Sequence, residues 1–317
     1  MKPPSLCLTA AAALLLSGPA VASSTATSSA VLSGLQVQLF DLDPSDGQTP
    51  WISFSFDGLG ANSGSASASW SMPIASGSAS SSFQSDGSPW KPGTASAVTQ
   101  HAEAMAQVAG TGTADGTTLL ASGSATSPGD YLIPVGSQGY YFSPPTASFN
   151  ANVQAPSFPG SFELSAQTVA VFSAMATVSA TAIEGGTVTQ DDGYGWTSTY
   201  YYGNNASAYA SLSVSGPSAG GGSGSQGASD GRSAYVYSLY DEWAGSWMNG
   251  AGSDNGPIGV SFLNLTGDAM SGYLTASATV SGSAYGNMAP IPEPGSYAML
   301  LAGLVAIAGA VRRRPAA

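Results

Sequence analysis

An all-β fold, an antiparallel β-sandwich or jelly-roll-like domain, follows from three features of the sequence. Apolar and polar residues alternate in runs, turn dipeptides separate the runs, and no convincing long amphipathic helix lies between the two ends of the chain. Leu35, Val37 and Leu39 alternate with Gln36 and Gln38; Ile52, Phe54 and Phe56 alternate with Ser53 and Ser55. Ser65 to Ser69 alternates Ser with Ala, a pattern that lets sheets approach closely and meets water with hydroxyls rather than charges. Such a face specifies register weakly, so the aromatic strands are expected to set the packing. Ala95–Ala109 is Ala-rich enough for a helix, but the strand reading is favoured. Val169–Ile183 puts Val169, Val171, Ser173, Met175 and Thr177 on one face, and later runs cover Ala208–Ser215, Ser233–Tyr240, Pro257–Leu265 and Ser271–Ala284. Turns are expected at Asp46-Gly47, Asp57-Gly58, Asp115-Gly116, Gly185-Gly186 and Asp192-Gly193. Many short strands at this spacing imply a sandwich rather than a parallel sheet. The Gly/Ser tract Ser218–Gly231 reads as a long flexible loop within one domain, the alternative being a linker between two.

Composition narrows the function classes. The 317 residues contain 41 Gly and only 8% charged side chains, where an average domain carries about 25%. Six Lys and Arg face 18 Asp and Glu, which leaves no basic patch and excludes nucleic acid as a partner. A single Cys and a single His remove most transition-metal sites and most Cys- or His-based catalysis, and no cofactor is expected.

The two ends read as addresses. Lys2, the apolar stretch Leu6–Leu16 and the Ala20-Val21-Ala22 site form an export signal, with Ser23 the first mature residue. That implies signal peptidase and the Sec machinery as partners, and Cys7 departs with the signal. At the other end, Ile291-Pro292-Glu293-Pro294 leads into Tyr297–Val311, fifteen uncharged residues, and then Arg312, Arg313 and Arg314. As a helix this run rises about 22 Å, marginal for spanning about 30 Å of hydrocarbon unless flanking residues contribute. The arginines are a stop-transfer cluster holding the C-terminus in the cytoplasm. The expected organisation is a signal peptide (1–22), an exported Ser/Gly/Ala-rich β domain (23–288) and a membrane-directed tail (289–317), transiently anchored in the inner membrane before reaching the cell surface or matrix. Without the ends, Lys91 and Arg232 are the only cations left.

Pro292-Glu293-Pro294, the Gly- and Ala-containing span Met299–Val311 and Arg312–Arg314 together resemble the PEP-CTERM sorting signal of Gram-negative bacteria. The resemblance implies recognition by an exosortase, a membrane-embedded protease, and removal of the tail near the motif; an unprocessed tail anchor is the alternative. The logic is that of other C-terminal signals in which an apolar tail presents the substrate and is discarded. Leu32-Ser33-Gly34-Leu35, the segment Phe40–Pro50 and Gly272–Ala278 are similar to a subset of such proteins whose central region is an uncharacterised all-β domain.

Four candidate sites remain. Asp41, Asp43 and Asp46 lie in a loop that superficially follows a calcium-binding order, but Gly47 comes one place late and Ile52 stands where the closing Glu belongs. A turn accounts for the segment. His101 would have to serve any Ser-His-Asp triad, and there is no nucleophile elbow. Asp191-Asp192 and Asp241-Glu242 are adjacent pairs, and neighbours on a strand point to opposite faces, which suits glycoside hydrolysis poorly. Aromatics are the stronger lead: Tyr194, Trp196, Tyr200, Tyr201 and Tyr202, with Trp243 and Trp247, offer ring faces for stacking sugars, unless they are core or cross-strand pairs. The sequence thus points to a non-catalytic exported surface or matrix protein, with exopolysaccharide as a candidate partner; a carbohydrate-binding module is the alternative and a hydrolase the third reading.

Overall fold

Alternating side chains become strands wherever the backbone is described. The computed structural model describes residues 24–55, 62–85, 91–110, 116–133, 143–191 and 196–290. The signal segment, the sorting segment, Phe56 and the dipeptides Asp57-Gly58 and Asp192-Gly193 therefore lie outside the described residues, as do the helices expected at the two ends. In chain order the strands are β1 (Thr25–Asp41), β2 (Ile52–Ser55), β3 (Ser63–Met72), β4 (Ala75–Gln84), β5 (Gly93–Val98), β6 (Ala102–Gly110) and β7 (Thr117–Thr126). Next come β8 (Tyr131–Ile133), β9 (Thr146–Leu164), β10 (Thr168–Ile183), β11 (Gly185–Asp191), β12 (Thr197–Gly203) and β13 (Asn205–Pro217). The last are β14 (Ser225–Tyr237), β15 (Leu239–Asp241), β16 (Ser246–Met248), β17 (Gly250–Asn264), β18 (Met270–Tyr285) and β19 (Met288–Pro290).

Two antiparallel sheets form the sandwich, ordered β17-β10-β1-β7-β6-β5 and β14-β13-β18-β9-β3-β4, with β2 added beside β9. Each strand of the first sheet lies over its counterpart in the second, from β17 over β14 to β5 over β4. The strands are longer than the turn spacing implied: β9 runs 19 residues and β1 runs 17. The segment 95–109 is the β5–β6 hairpin rather than a helix.

The core is unusual in being largely alanine. Ala26 and Ala30 in β1, Ala104 and Ala106 in β6, Ala170 to Ala182 on the even positions of β10, and Ala206 to Ala210 in β13 are all buried. The face of β10 carrying Val169, Val171 and Met175 is thus the outer one, while Ala170, Phe172, Ala174 and Val178 point inward. Volume is restored by a few rings seated over glycines. Phe83 pairs with Gly64, Trp70 with Gly77, Phe149 with Gly282 and Phe162 with Gly272 as direct cross-strand partners. A Cβ on any of these glycines would overlap the facing ring. The rings reach across the sandwich as well, Phe149 to Gly123 and Phe83 to Gly93. Ring-over-glycine pairing fixes register where Ser/Ala alternation cannot.

Register is also adjusted by a bulge. Ser33 pairs with Met175 but Gln36 with Ser173, one extra residue on β1, and Gly34 supplies the required φ of +63°. The inward face therefore switches from Ala30 and Leu32 to Leu35, Val37 and Leu39. This is the structural meaning of the Leu32-Ser33-Gly34-Leu35 phrase.

Two expectations are corrected. Within the Gly/Ser tract only 218–224 is a turn, and Ser225 opens strand β14, which pairs with β13 along its whole length. On its inward face Ala228 and the buried Ala234 and Val236 are joined by the polar Gln226, Asp230 and Arg232. The Gln226 amide accepts from Leu263 N (3.1 Å) and donates to Leu263 O (2.7 Å), Asp230 accepts from Gly259 N (2.9 Å), and Arg232 donates to Pro257 O (3.1 Å). These side chains satisfy the open edge of β17 and close that side of the sandwich. Gly185-Gly186 is likewise not a hairpin turn. Glu184, at φ +58°, turns the chain out of β10, and both glycines pair within β11, where a Cβ would strike Tyr202 O or Gly286 O.

Candidate functional site

Both ends of the sandwich are held by a buried asparagine. Asn264 donates to the carbonyls of Leu164, Ser165 and Asp268 (3.1, 2.9 and 2.8 Å) and accepts from Thr266 N and Oγ1. At the opposite end Asn204 accepts from Tyr285 N (2.9 Å) and donates to Ser24 Oγ (2.7 Å), Ile183 O (2.8 Å) and Thr25 O (3.2 Å). Ser238 joins the same hub, donating to Glu184 O and accepting from Asn204 N. Fully buried polar groups require such partners.

Beyond Asn204 the fold continues into a small sheet, β12-β11-β19-β8. Strand β19 sits between β11 and β8 and runs parallel to both. Val188 and Met288, both fully buried, pack with Tyr131 and Tyr202. Asn287 secures this exit strand: its Oδ1 accepts from Thr187 N and Oγ1 (3.0 and 2.9 Å), its Nδ2 donates to Asp130 Oδ1 (2.9 Å), and its carbonyl accepts from Tyr131 N. The last described strand therefore leaves the domain pointing the same way as β11, away from the sandwich.

The aromatic residues gather at this end. On one face of β12, Tyr201 stacks on Tyr240 with ring centroids 3.8 Å apart and planes at 8°, and Trp247 packs edge-on against both. Tyr240 and Trp247 are brought together by pairing of β15 with β16. Asp241 shapes that hairpin by accepting from Trp243 N and Ala244 N (2.9 and 3.1 Å), with Gly245 at φ +63°. The hairpin tip holds Trp243 fully in solvent, and Trp196, 77% exposed, stands at the outer start of β12. The Tyr201 phenol is held above its ordinary pKa, first by desolvation, then by its hydrogen bond to Tyr240 and the charge that Tyr240 and Glu242 place beside it.

The candidate rings thus divide. Tyr202 and Trp247 are packing residues: Tyr202 lies over Val188 and Met288, and Trp247 fits against Gly185. Trp196, Tyr200 and Trp243 are exposed, and Tyr194 lies outside the described residues. Tyr240 was not among the candidates. Its signal was the Asp241 turn, which folds Trp247 back beside it.

The other candidates take structural places. Asp41, Asp43 and Asp46 each accept from a backbone N–H two residues on, at 2.9, 3.2 and 2.7 Å, a succession of Asx turns. Among the described residues no group of three or more His, Cys, Asp or Glu is arranged to hold a metal ion. His101 is half-buried and edge-on to Trp70 at 5.2 Å. Arg232 forms an ion pair with Asp254 at 3.5 Å, partly exposed on the clamped edge. Residues 290–314, which begin at the last residue of β19, match the PEP-CTERM protein-sorting motif. No curated protein and no solved structure matches the chain.

Proposed function

We propose that this chain, whose residues 290–314 are a PEP-CTERM sorting signal, is a non-catalytic surface or extracellular-matrix protein released from its tail by an exosortase. The signal implies export, transient anchoring at the C-terminus and an exosortase partner. The finer reading rests on one observation above all: β19 fixes the start of the sorting segment against β8 and β11, so the tail hangs from a rigid domain. A non-catalytic role is supported by how the carboxylates are used. Asp41, Asp43, Asp46 and Asp241 shape turns, Asp230 covers a strand edge, and the sole histidine faces an indole. An Ala- and Ser-lined sandwich with almost no cations suits a hydrated polysaccharide matrix, where charge would bind polymers indiscriminately.

The test is mass spectrometry of the protein recovered from the surface or medium of its host. The expected product begins at Ser23 and lacks Tyr297–Arg314, and replacing Pro292, Glu293 and Pro294 by Ala leaves the tail in place. An intact tail on the exported wild-type chain would overturn processing and leave a simple anchor. The competing carbohydrate-binding reading uses Trp196 and Trp243. It predicts glycan-array binding that Trp196→Ala or Trp243→Ala abolishes; binding untouched by both substitutions would remove it.

A further inference from the structure

We infer that the aromatic end of the domain is a membrane-contacting face, which rests on the headgroups of a zwitterionic phospholipid surface while the tail is anchored. The inference builds on the sorting-segment reading, because the tail supplies the membrane. Two independent features of the structure meet at this end.

The first is where the chain leaves. Met288 pairs with Val188, which in turn pairs with Tyr200, so Tyr200 stands level with the exit strand. Strand β12 begins further out, and Trp196 precedes it, on the side toward which β19 runs. Only Ile291 to Ser296 separate Pro290 from the uncharged run that starts at Tyr297. Those residues reach about 22 Å at full extension. Once the run is inserted, the end bearing β12 and the β15–β16 hairpin cannot stand far from the headgroups.

The second is what that end displays. Trp243 is fully exposed at the hairpin tip, Leu239 and Met248 are exposed on the hairpin, and Trp196 and Tyr200 are exposed along β12. At the far end of the sandwich Phe162, Phe172 and Phe262 are buried, and the large side chains left exposed there, Phe40, Leu42, Trp51 and Leu265, are remote from the exit strand. Trp and Tyr have the amphipathic shape that concentrates at membrane–water interfaces. The charges nearby are acidic: Asp130, Glu184, Asp241 and Glu242. They disfavour an anionic surface and leave a zwitterionic one, whose ammonium groups the rings can also face.

The tail contains no Trp, so indole fluorescence of the full chain reports on the domain alone. The full chain is reconstituted into vesicles of phosphatidylcholine brominated on its acyl chains, and flotation checks insertion of the tail. Emission should be blue-shifted and quenched relative to unbrominated vesicles. Trp196→Phe with Trp243→Phe should remove more than half of the quenching with circular dichroism unchanged. A chain that floats with its indoles unquenched, or quenched equally in the double variant, overturns the inference alone. A chain that does not float overturns the sorting-segment reading and this inference with it. If dextran or alginate shifts the same emission while vesicles do not, the rings serve a glycan and the membrane face is wrong.

Discussion

The two ends of the sandwich solve the same backbone problem and then diverge. Asn264 and Asn204, both fully buried, each gather loose carbonyls and a backbone N–H where long strands stop. At the Asn264 end one cluster of rings turns inward: Phe162 meets Phe172 at 5.3 Å, Phe262 edge-on at 5.0 Å and Phe54 at 6.1 Å, while Phe40 and Trp51 remain exposed. At the Asn204 end the corresponding space is occupied by extra sheet, and rings turn outward on β12 and the β15–β16 hairpin. One end closes the fold. The other extends it around the exit strand, where Trp196, Tyr200 and Trp243 face solvent.

The largest effects should come from removing either hub. Asn204→Ala and Asn264→Ala each strand several buried backbone groups, at about 1–3 kcal/mol per unsatisfied group. Both should lower the denaturant midpoint sharply, by a combined loss of roughly 3–5 kcal/mol. If Asn204→Ala proved nearly neutral, the equivalence of the ends would fail. Next comes the middle of the sandwich. Gly282→Ala places a methyl within the Phe149 ring and should cost about 1–3 kcal/mol by overpacking. Adding Phe149→Leu should recover part of that loss in a double-mutant cycle.

Gln226→Ala leaves Leu263 N and O without their side-chain partner and should cost about 1–2 kcal/mol. It also uncovers the β17 edge, so light scattering on standing should rise more than the stability loss alone would produce. Trp243→Ala, by contrast, should change unfolding free energy by less than about 0.5 kcal/mol, because the ring is in solvent. A large loss would show the outward rings to be structural and erase the contrast between the ends.

The smallest expected effect is alkaline. A phenol whose folded pKa is raised binds its proton more tightly when folded. Its stabilisation is complete below the unfolded tyrosine pKa and is lost as pH rises through the raised value. Ultraviolet titration should show Tyr201 ionising above the ordinary tyrosine range, and Tyr240→Phe should lower its pKa.

Much of this was legible in the chain, for reasons that are local. Alternation marked β1, β2, β10, β13, β17 and β18, because a strand with one buried face must repeat every two residues. Only the second half of strand β14 was legible, in the Ser233–Tyr240 run; its first half was hidden because Gln226, Asp230 and Arg232 interrupt the inward apolar positions and bond a neighbouring backbone edge. Gly185-Gly186 carried a turn signal, yet close approach of Gly286 and Trp247, not chain reversal, is what excludes a side chain there. Among the rings, sequence could not separate Tyr202 from Tyr200, since they lie two residues apart on one strand and differ only in what covers them.

By itself the sequence determined the β period, the scarcity of cations and the address at 290–314, because each depends on residues adjacent in the chain. Tertiary structure alone decided which glycines receive rings, which polar side chains close an edge, and which aromatics remain in water. Those outcomes depend on partners far along the chain, such as Ser24 and Asn204 or Gln226 and Leu263, that only the folded sheets bring within hydrogen-bonding distance.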